Sequence, residues 1–103
     1  MFAAYGASKA ALNHMTRSLA AEFAPNIRVN VVLPGLIDTP RTSASRTPER
    51  LQASLANIAL GRIGTPGDVA EVVVFLASPQ SSWMTGSIVR VDGGGGLVAS
   101  TGR

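Results

Sequence analysis

The chain has 103 residues and a net charge of +3; 46% of its residues are hydrophobic and only 15% are charged. This composition predicts one folded domain with a modest core and excludes a disordered tail. The chain has no cysteine, which excludes disulfides, thiolate catalysis and cysteine-based zinc sites, so we expect no metal site and a reducing, cytoplasmic setting. Its apolar runs are far shorter than the roughly 20 residues that span a bilayer, and we recognise no signal peptide.

The basic residues are mostly dispersed along the chain, and only Arg41, Arg46 and Arg50 form a cluster. Nucleic-acid binding needs a concentrated basic stripe, usually with aromatic side chains between the charges. The isolated arginines are Arg17, Arg28, Arg62, Arg90 and Arg103. We therefore predict solvated surface arginines, with no nucleic-acid partner and no membrane partner.

The first part of the chain predicts a long helix followed by a strand. Apolar residues recur at helical spacing over residues 5–24, and a Pro-Asn pair then ends the helix. Residues 27–33 read I-R-V-N-V-V-L. Such a β-branched run favours a strand that is buried on both faces.

The second part predicts a loop, two helices and another strand. Residues 34–47 have no period and are expected to form a long loop. Thr47-Pro48 predicts the start of a short helix to about residue 60. In Thr65-Pro66-Gly67-Asp68, Thr65 is expected to cap a helix that begins at Pro66, ends before Ser78-Pro79 and is buried on more than one side. Residues 88–91 complete the order helix, strand, loop, two helices, strand. This order predicts an α/β fold whose parallel strands form part of a larger sheet.

The chain has one tyrosine and one lysine, Tyr5 and Lys9, at the start of the first predicted helix. Side chains four residues apart project from the same face of a helix. An ammonium beside a phenol favours the phenolate and lowers the phenol's pKa from about 10, which makes a general acid/base usable near neutral pH. For an arbitrary pair, packing of the ring over the lysine stem is the commoner explanation. The residues around Tyr5 and Lys9 are therefore needed to distinguish a catalytic pair from a packing contact.

Four segments, in order and with sensible spacing, resemble the short-chain dehydrogenase/reductase family. Residues 5–12 (YGASKAAL) are similar to its active-site helix, and residues 30–40 (NVVLPGLIDTP) to its strand and cofactor loop. Residues 61–70 resemble its next helix entry, and residues 82–86 (SWMTG) with residues 91–94 (VDGG) are similar to its C-terminal strand and tail. The resemblance implies the C-terminal part of a single Rossmann-like, doubly wound parallel-sheet domain over residues 1–103, with a substrate loop at residues 36–62.

The resemblance also implies an NAD(P)-dependent oxidoreductase that interconverts a secondary alcohol and a carbonyl of a small molecule. Tyr5 would pass the proton to or from the substrate oxygen, while Lys9 would tune Tyr5 and bind the nicotinamide ribose. Ile37 would meet the nicotinamide carboxamide through its backbone, and Thr39 would approach the cofactor phosphates. The implied cofactor-binding set is Tyr5, Lys9, Pro34, Gly35, Ile37 and Thr39.

Purely structural explanations stay open for the candidate residues other than Tyr5 and Lys9. Pro34 and Gly35 fit a turn, which we regard as the larger part of their role, and Thr39 fits a loop hydroxyl. Asn30 fits a hydrogen bond at a strand end. Ser8 is not indicated as a nucleophile, because it has no acid partner.

Three parts of the family's active site have no counterpart in these residues: the glycine-rich phosphate loop, the substrate-holding serine and the relay asparagine. We therefore expect residues 1–103 alone to be inactive. The alternative function is a non-catalytic module that keeps this fold for self-association or for pairing with another family subunit. By the resemblance, the helix at 5–24 and the strand at 88–91 are expected to form a homo-oligomer interface.

Overall fold

The computed structural model describes residues 2–97. The α/β class predicted from the sequence is confirmed. No helix of this described part is long and apolar enough to cross a membrane. In chain order the elements are α1 (Phe2–Phe23), β1 (Val31–Pro34), α2 (Pro40–Ala44), α3 (Pro48–Ala56), α4 (Pro66–Ala77), a 3₁₀ turn (Pro79–Ser81) and β2 (Ile88–Val91).

The chain divides into two compact units. Unit 1 combines Met1–Val32 with Val74–Val89, and unit 2 combines Leu33–Val73 with Arg90–Arg103. Each strand therefore begins in unit 1 and ends in unit 2, and each unit is described by itself below.

The two strands are hydrogen-bonded neighbours. In unit 1 the Val31 N–H donates to the Ser87 carbonyl at 2.9 Å, and in unit 2 the Gly35 N–H donates to the Val91 carbonyl at 2.9 Å. The residue numbers rise together on both strands, so the strands are parallel, as predicted.

The buried centre of unit 1 is small and partly polar. Ala20 is 3% exposed, Thr16 5% and Ser81 1%. The Thr16 hydroxyl donates to the Leu12 carbonyl at 2.8 Å, which satisfies its polar group inside the helix. Gly86 adopts a φ of +73°, and a Cβ at this position would lie 3.4 Å from the Ala20 Cβ.

The Arg28 side chain donates hydrogen bonds to backbone carbonyls at and after the end of α4. Its Nη1 donates to the Ser81 carbonyl (2.9 Å), the Ser81 hydroxyl (3.1 Å) and the Met84 carbonyl (3.1 Å). Its Nη2 donates to the carbonyls of Leu76 (2.9 Å) and Ser78 (3.4 Å). The last carbonyls of a helix have no intrahelical donor, and a nearby arginine satisfies them. The prediction of a solvated surface arginine is therefore wrong for Arg28.

In unit 2, Ile58 is the buried apolar residue, at 8% exposed. It forms an antiparallel bridge with Gly95, and the neighbouring Leu60 N–H donates to the Gly93 carbonyl at 3.0 Å. Gly93 has a φ of +61°, and a Cβ there would lie 2.9 Å from the Ile58 Cγ2. The glycine-rich turn is thus shaped to cover Ile58.

The first predicted strand is shorter than expected and is not buried on both faces. It begins at Val31, while Ile27 is 56% exposed. Just before β1, side-chain hydrogen bonds of Asn30 take the place of backbone hydrogen bonds between strands. The Asn30 Nδ2 donates to the Met84 carbonyl (3.1 Å), and its Oδ1 accepts from the Ser87 N–H (3.0 Å). The interpretation of Asn30 as a hydrogen-bonding residue at the strand end is confirmed.

The segment predicted as a loop, residues 34–47, contains the short helix α2. Thr39 caps it: the Thr39 Oγ1 accepts from the Thr42 N–H at 3.3 Å, and the Thr42 hydroxyl accepts from the Thr39 N–H at 2.9 Å. This reciprocal pair satisfies two backbone donors that a helix start leaves free. The prediction of an irregular loop is wrong at these residues.

The next helix, α3, ends at Ala56 rather than near residue 60.

α4 begins at Pro66, as predicted. The Thr65 N–H donates to the Asp68 carboxylate at 2.7 Å, and the Asp68 N–H donates to the Thr65 hydroxyl at 3.2 Å. The prediction that α4 is buried on more than one side is wrong, because none of its residues is buried. Val74 is 68% exposed and Phe75 40%, since the described part of the chain leaves this side of the helix in solvent.

Candidate functional site

Tyr5 and Lys9 lie together on the first turns of α1. The Lys9 Nζ is 5.4 Å from the centroid of the Tyr5 ring. Tyr5 is 63% exposed and Lys9 is half-buried. A solvent-facing phenol beside an ammonium is able to exchange a proton with a small molecule. The structure thus brings these two predicted residues into contact.

Ser8 lies between them in the sequence but takes part in the helix. Its hydroxyl donates to the Tyr5 carbonyl at 2.7 Å. Within residues 2–97, this hydroxyl has no hydrogen bond to an acid or a base that could activate it. The prediction that Ser8 is not a nucleophile stays a prediction.

Ile37 follows β1 and has a backbone N–H without a hydrogen-bond partner among the described residues. Ile37 forms a parallel bridge with Gly64, in which the Asp38 N–H donates to the Gly64 carbonyl (2.8 Å) and the Gly64 N–H donates to the Leu36 carbonyl (3.0 Å). This pattern turns the N–H and carbonyl of Ile37 itself away from Gly64. The Ile37 carbonyl accepts from the Thr42 hydroxyl at 3.1 Å, whereas its N–H has no partner in the described part of the chain.

Thr39 is half-buried and acts as the N-cap of α2. Its hydroxyl also lies 3.1 Å from the Thr42 hydroxyl. The cap replaces the simpler interpretation of Thr39 as a loop hydroxyl. Contact between Thr39 and cofactor phosphates stays a prediction.

Gly35 follows β1 at a point of close backbone approach. A Cβ at this position would lie 2.6 Å from the Asp92 Cβ and 2.7 Å from the Asp92 Cα. Its φ is not positive, so crowding against Asp92, rather than turn conformation, requires the glycine. Pro34 is the last residue of β1, so the sequence interpretation as a turn is replaced by a strand end.

Arg62 and Asp68 form the shortest ion pair among the described residues of unit 2. The Arg62 Nη1 and Nη2 lie 2.7 Å and 3.1 Å from the two Asp68 carboxylate oxygens. Hydrogen bonds from Arg62 and then from the Thr65 N–H hold the pKa of Asp68 well below its usual range. The pair fixes the residues beside Gly64, where a Cβ would meet the Ile37 side chain at 2.8 Å. The sequence predicts only a solvated surface arginine at Arg62, because the partner Asp68 is six residues away and outside any helix that contains Arg62.

The predicted site residues fall in separate units. Tyr5 and Lys9 belong to unit 1, and the segment from Pro34 to Thr39 belongs to unit 2. Among residues 2–97 there is no group of three or more His, Cys, Asp or Glu side chains that could hold a metal ion. Unit 1 thus offers the exposed hydroxyl of Tyr5, and unit 2 offers the unpaired backbone N–H of Ile37.

Comparisons with known proteins place the chain in a family. A family model described as enoyl-(acyl carrier protein) reductase matches residues 1–95. Galactitol 2-dehydrogenase of Rhizobium johnstonii is 53% identical over 93 residues, which cover 88% of this chain and 36% of that protein. The chain belongs to the short-chain dehydrogenase/reductase family.

Solved structures agree with this assignment. A short-chain dehydrogenase/reductase from Brucella melitensis, described as a glucose/ribitol dehydrogenase, matches with a TM-score of 0.79 and 44% identity, covering 87% of this chain and 36% of that chain. A 7α-hydroxysteroid dehydrogenase complexed with NADH and 7-oxo glycochenodeoxycholic acid matches with a TM-score of 0.81 and 42% identity, covering 88% and 36%. The chain therefore has part of a Rossmann-like fold and spans little more than a third of the relatives it matches.

Proposed function

We propose that this chain carries the acid/base pair and one part of the cofactor site of an NAD(P)-dependent oxidoreductase that interconverts a secondary alcohol and a carbonyl. The Tyr5–Lys9 contact, with the Lys9 Nζ 5.4 Å from the ring centroid, carries the proposal. Two relatives named as dehydrogenases, one of them complexed with NADH, support it. Because the chain spans 36% of its galactitol dehydrogenase relative, we expect residues 1–103 alone to give no turnover.

Tyr5 acts as the proton donor in carbonyl reduction and as the proton acceptor in the reverse direction. The nicotinamide, when bound, supplies or accepts the hydride. The Tyr5 hydroxyl gives its proton to the substrate oxygen as negative charge develops there, which leaves a phenolate. The Lys9 ammonium, held over the same ring, stabilises that phenolate by charge attraction.

The segment after β1 holds the cofactor in this proposal. The unpaired N–H of Ile37 would donate to the carboxamide oxygen, and the Thr39 hydroxyl would donate to a phosphate oxygen. Lys9 would donate to the ribose hydroxyls. Pro34 and Gly35 set the path of the segment, because Gly35 lies directly against Asp92.

A hybrid enzyme tests the proposal. Residues 1–95 of this chain replace the matching segment of the Rhizobium johnstonii galactitol 2-dehydrogenase, and oxidation of galactitol is followed by reduced-cofactor absorbance. Tyr5→Phe should lower kcat by about 100-fold or more while leaving cofactor affinity nearly unchanged, since the ring remains. Lys9→Met should lower both, because it removes a charge and a ribose donor.

Ser8→Ala is the matched control, since the Ser8 hydroxyl bonds only to its own helix in the described part of the chain. The control should keep its kcat within about twofold. Near-normal turnover of Tyr5→Phe in an active hybrid would remove the acid/base assignment.

A second candidate is the self-associating module, which the apolar exposure of α1 favours. Leu12 is 39% exposed, Met15 52% and Phe23 42%. Ile88 on β2 is 40% exposed. If these side chains mediate association, Met15→Glu should reduce the sedimentation coefficient of the chain, while Ser18→Glu on the same helix should not. Equal sedimentation of both variants and the unchanged chain would oppose this candidate.

A further inference from the structure

The arginine cluster of the predicted substrate loop contains one arginine that differs from the others. Arg41 and Arg50 are exposed. Arg46, which lies between α2 and α3, has a side chain that is only 13% exposed. A guanidinium is rarely buried to this extent unless acceptors surround it.

Arg46 lacks those acceptors. Its Nη1 lies 3.4 Å from the Asp38 Oδ1, a long contact, and the Asp38 side chain is 54% exposed. Its Nη2 is buried and has no hydrogen-bond partner among the described residues. A guanidinium has five N–H donors, and buried donors are nearly always bonded. Arg46 therefore has donor capacity that the described protein does not use.

Arg46 is one of the residues that line a cavity of about 320 Å³. The Thr47 hydroxyl accepts from the Arg50 N–H at 3.2 Å, which leaves its own proton free to donate. Pro48 and Leu51 add apolar surface. The complete lining is Asp38, Ser43, Arg46, Thr47, Pro48 and Leu51.

We propose that Arg46 binds an oxyanion of the substrate, either a carboxylate or a phosphate, in this cavity. The Arg46 guanidinium is a cationic donor for such a group, and the Thr47 hydroxyl supplies a further donor. The oxyanion takes the place of Asp38 on Arg46. Release of Asp38 is easy, because its contact is long and largely solvated.

This inference rests on the proposed function, because it names the substrate class of the same site. Asp38 lies in the chain between Ile37 and Thr39, the two residues assigned to the cofactor. A substrate anchored at Arg46 therefore lies beside the cofactor segment of unit 2. The expected substrate is an alcohol or carbonyl compound that carries one anionic group on a short apolar body.

Direct binding tests the site without any need for activity. Succinate and inorganic phosphate are titrated separately into the ¹⁵N-labelled chain, and the side-chain Nε–Hε resonances of the arginines are followed. The Arg46 resonance should shift and saturate with at least one probe, and the probe that saturates at the lower concentration identifies carboxylate or phosphate. The affinity should fall by about tenfold or more in Arg46→Gln and stay unchanged in Arg50→Gln, an exposed arginine of the same segment.

Equal affinity in Arg46→Gln, or no saturable shift with either probe, would overturn the site. In the hybrid enzyme, kcat/KM is then compared for hydroxy acids and for their methyl esters. Arg46→Gln should lower the value about tenfold or more for the acids only. An equal loss for acids and esters contradicts the anion site, whereas a hybrid that is inactive on every substrate counts against the proposed function and leaves the binding result to decide the site.

Discussion

The two units obtain their structure in different ways. In unit 1 the guanidinium of Arg28 makes five hydrogen bonds to the chain around Leu76 and Ser81. In unit 2 the backbone packs closely at glycines such as Gly35, while Arg46 makes one long contact. Both guanidinium groups are partly or largely buried, so burial alone does not show that an arginine stabilises the fold; the number of acceptors within its reach does.

The largest effect is expected for Arg28→Met. The substitution keeps an apolar stem but removes all five hydrogen bonds of the guanidinium, four of them to part-buried carbonyls, so the free energy of unfolding should fall by about 3 kcal/mol. Urea denaturation of the hybrid enzyme measures it. Arg17→Met, on the exposed face of α1, is the control and should change the free energy by less than about 0.5 kcal/mol. Equal effects of the two substitutions would mean that the Arg28 network contributes little.

Gly35→Ala tests the packing of unit 2. The new Cβ would lie 2.6 Å from the Asp92 Cβ, so the backbone must shift, and we expect a loss of about 2 kcal/mol. Gly6→Ala is a control with the opposite sign: no atom lies within 4 Å of its added Cβ, and alanine should stabilise α1 by about 0.5–1 kcal/mol. Thermal denaturation of both variants gives the comparison, and a neutral Gly35→Ala would contradict the close approach.

Arg46→Met sharpens the contrast between the two arginines. Because Arg46 has one long contact and an unused Nη2, removal of its charge should cost less than about 1 kcal/mol or should stabilise unit 2. The same urea measurement applies. A loss as large as that of Arg28→Met would mean that Arg46 is structural, against the anion site.

The smallest effect concerns pH. The folded pKa of Asp68 lies below its unfolded value because Arg62 and the Thr65 N–H stabilise the carboxylate. Its contribution to stability is therefore fully present above about pH 4, near the unfolded pKa, and is lost as the pH falls further through the folded pKa. Asp68→Asn should flatten the fall of the urea midpoint on acidification, whereas Glu71→Gln, with no described ion pair, should not. Parallel pH curves for the two variants would contradict this role.

Local signals were sufficient for the helix starts. Each Thr-Pro pair of the chain begins a helix, at Thr39-Pro40, Thr47-Pro48 and Thr65-Pro66. The first of these was available from the sequence, yet the irregular composition of residues 34–47 suggested a loop. Because capping involves residues three positions apart, it is readable without tertiary information.

The parts that sequence reasoning missed depend on distant residues. Arg28 finds its acceptors 48 to 56 positions away in the chain, and the Asn30 amide finds Met84 54 positions away. No periodicity records such contacts. Among the predicted site residues, the Tyr5–Lys9 contact follows from helix spacing, while the free N–H of Ile37 depends on its bridge to Gly64.

The small buried centres have a calorimetric consequence. The buried apolar residues of the described chain are Ala20 and Ile58, and large side chains such as Trp83 (99% exposed) and Leu60 (74% exposed) are already in water. Unfolding of residues 1–103 alone would therefore expose little additional apolar surface to water. The heat-capacity increment of unfolding scales with the apolar surface that becomes exposed. The heat-capacity increment should therefore fall below the usual value of roughly 12–15 cal/mol/K per residue. The free energy of unfolding of this chain should also vary less steeply with temperature and denaturant than that of a relative of full length.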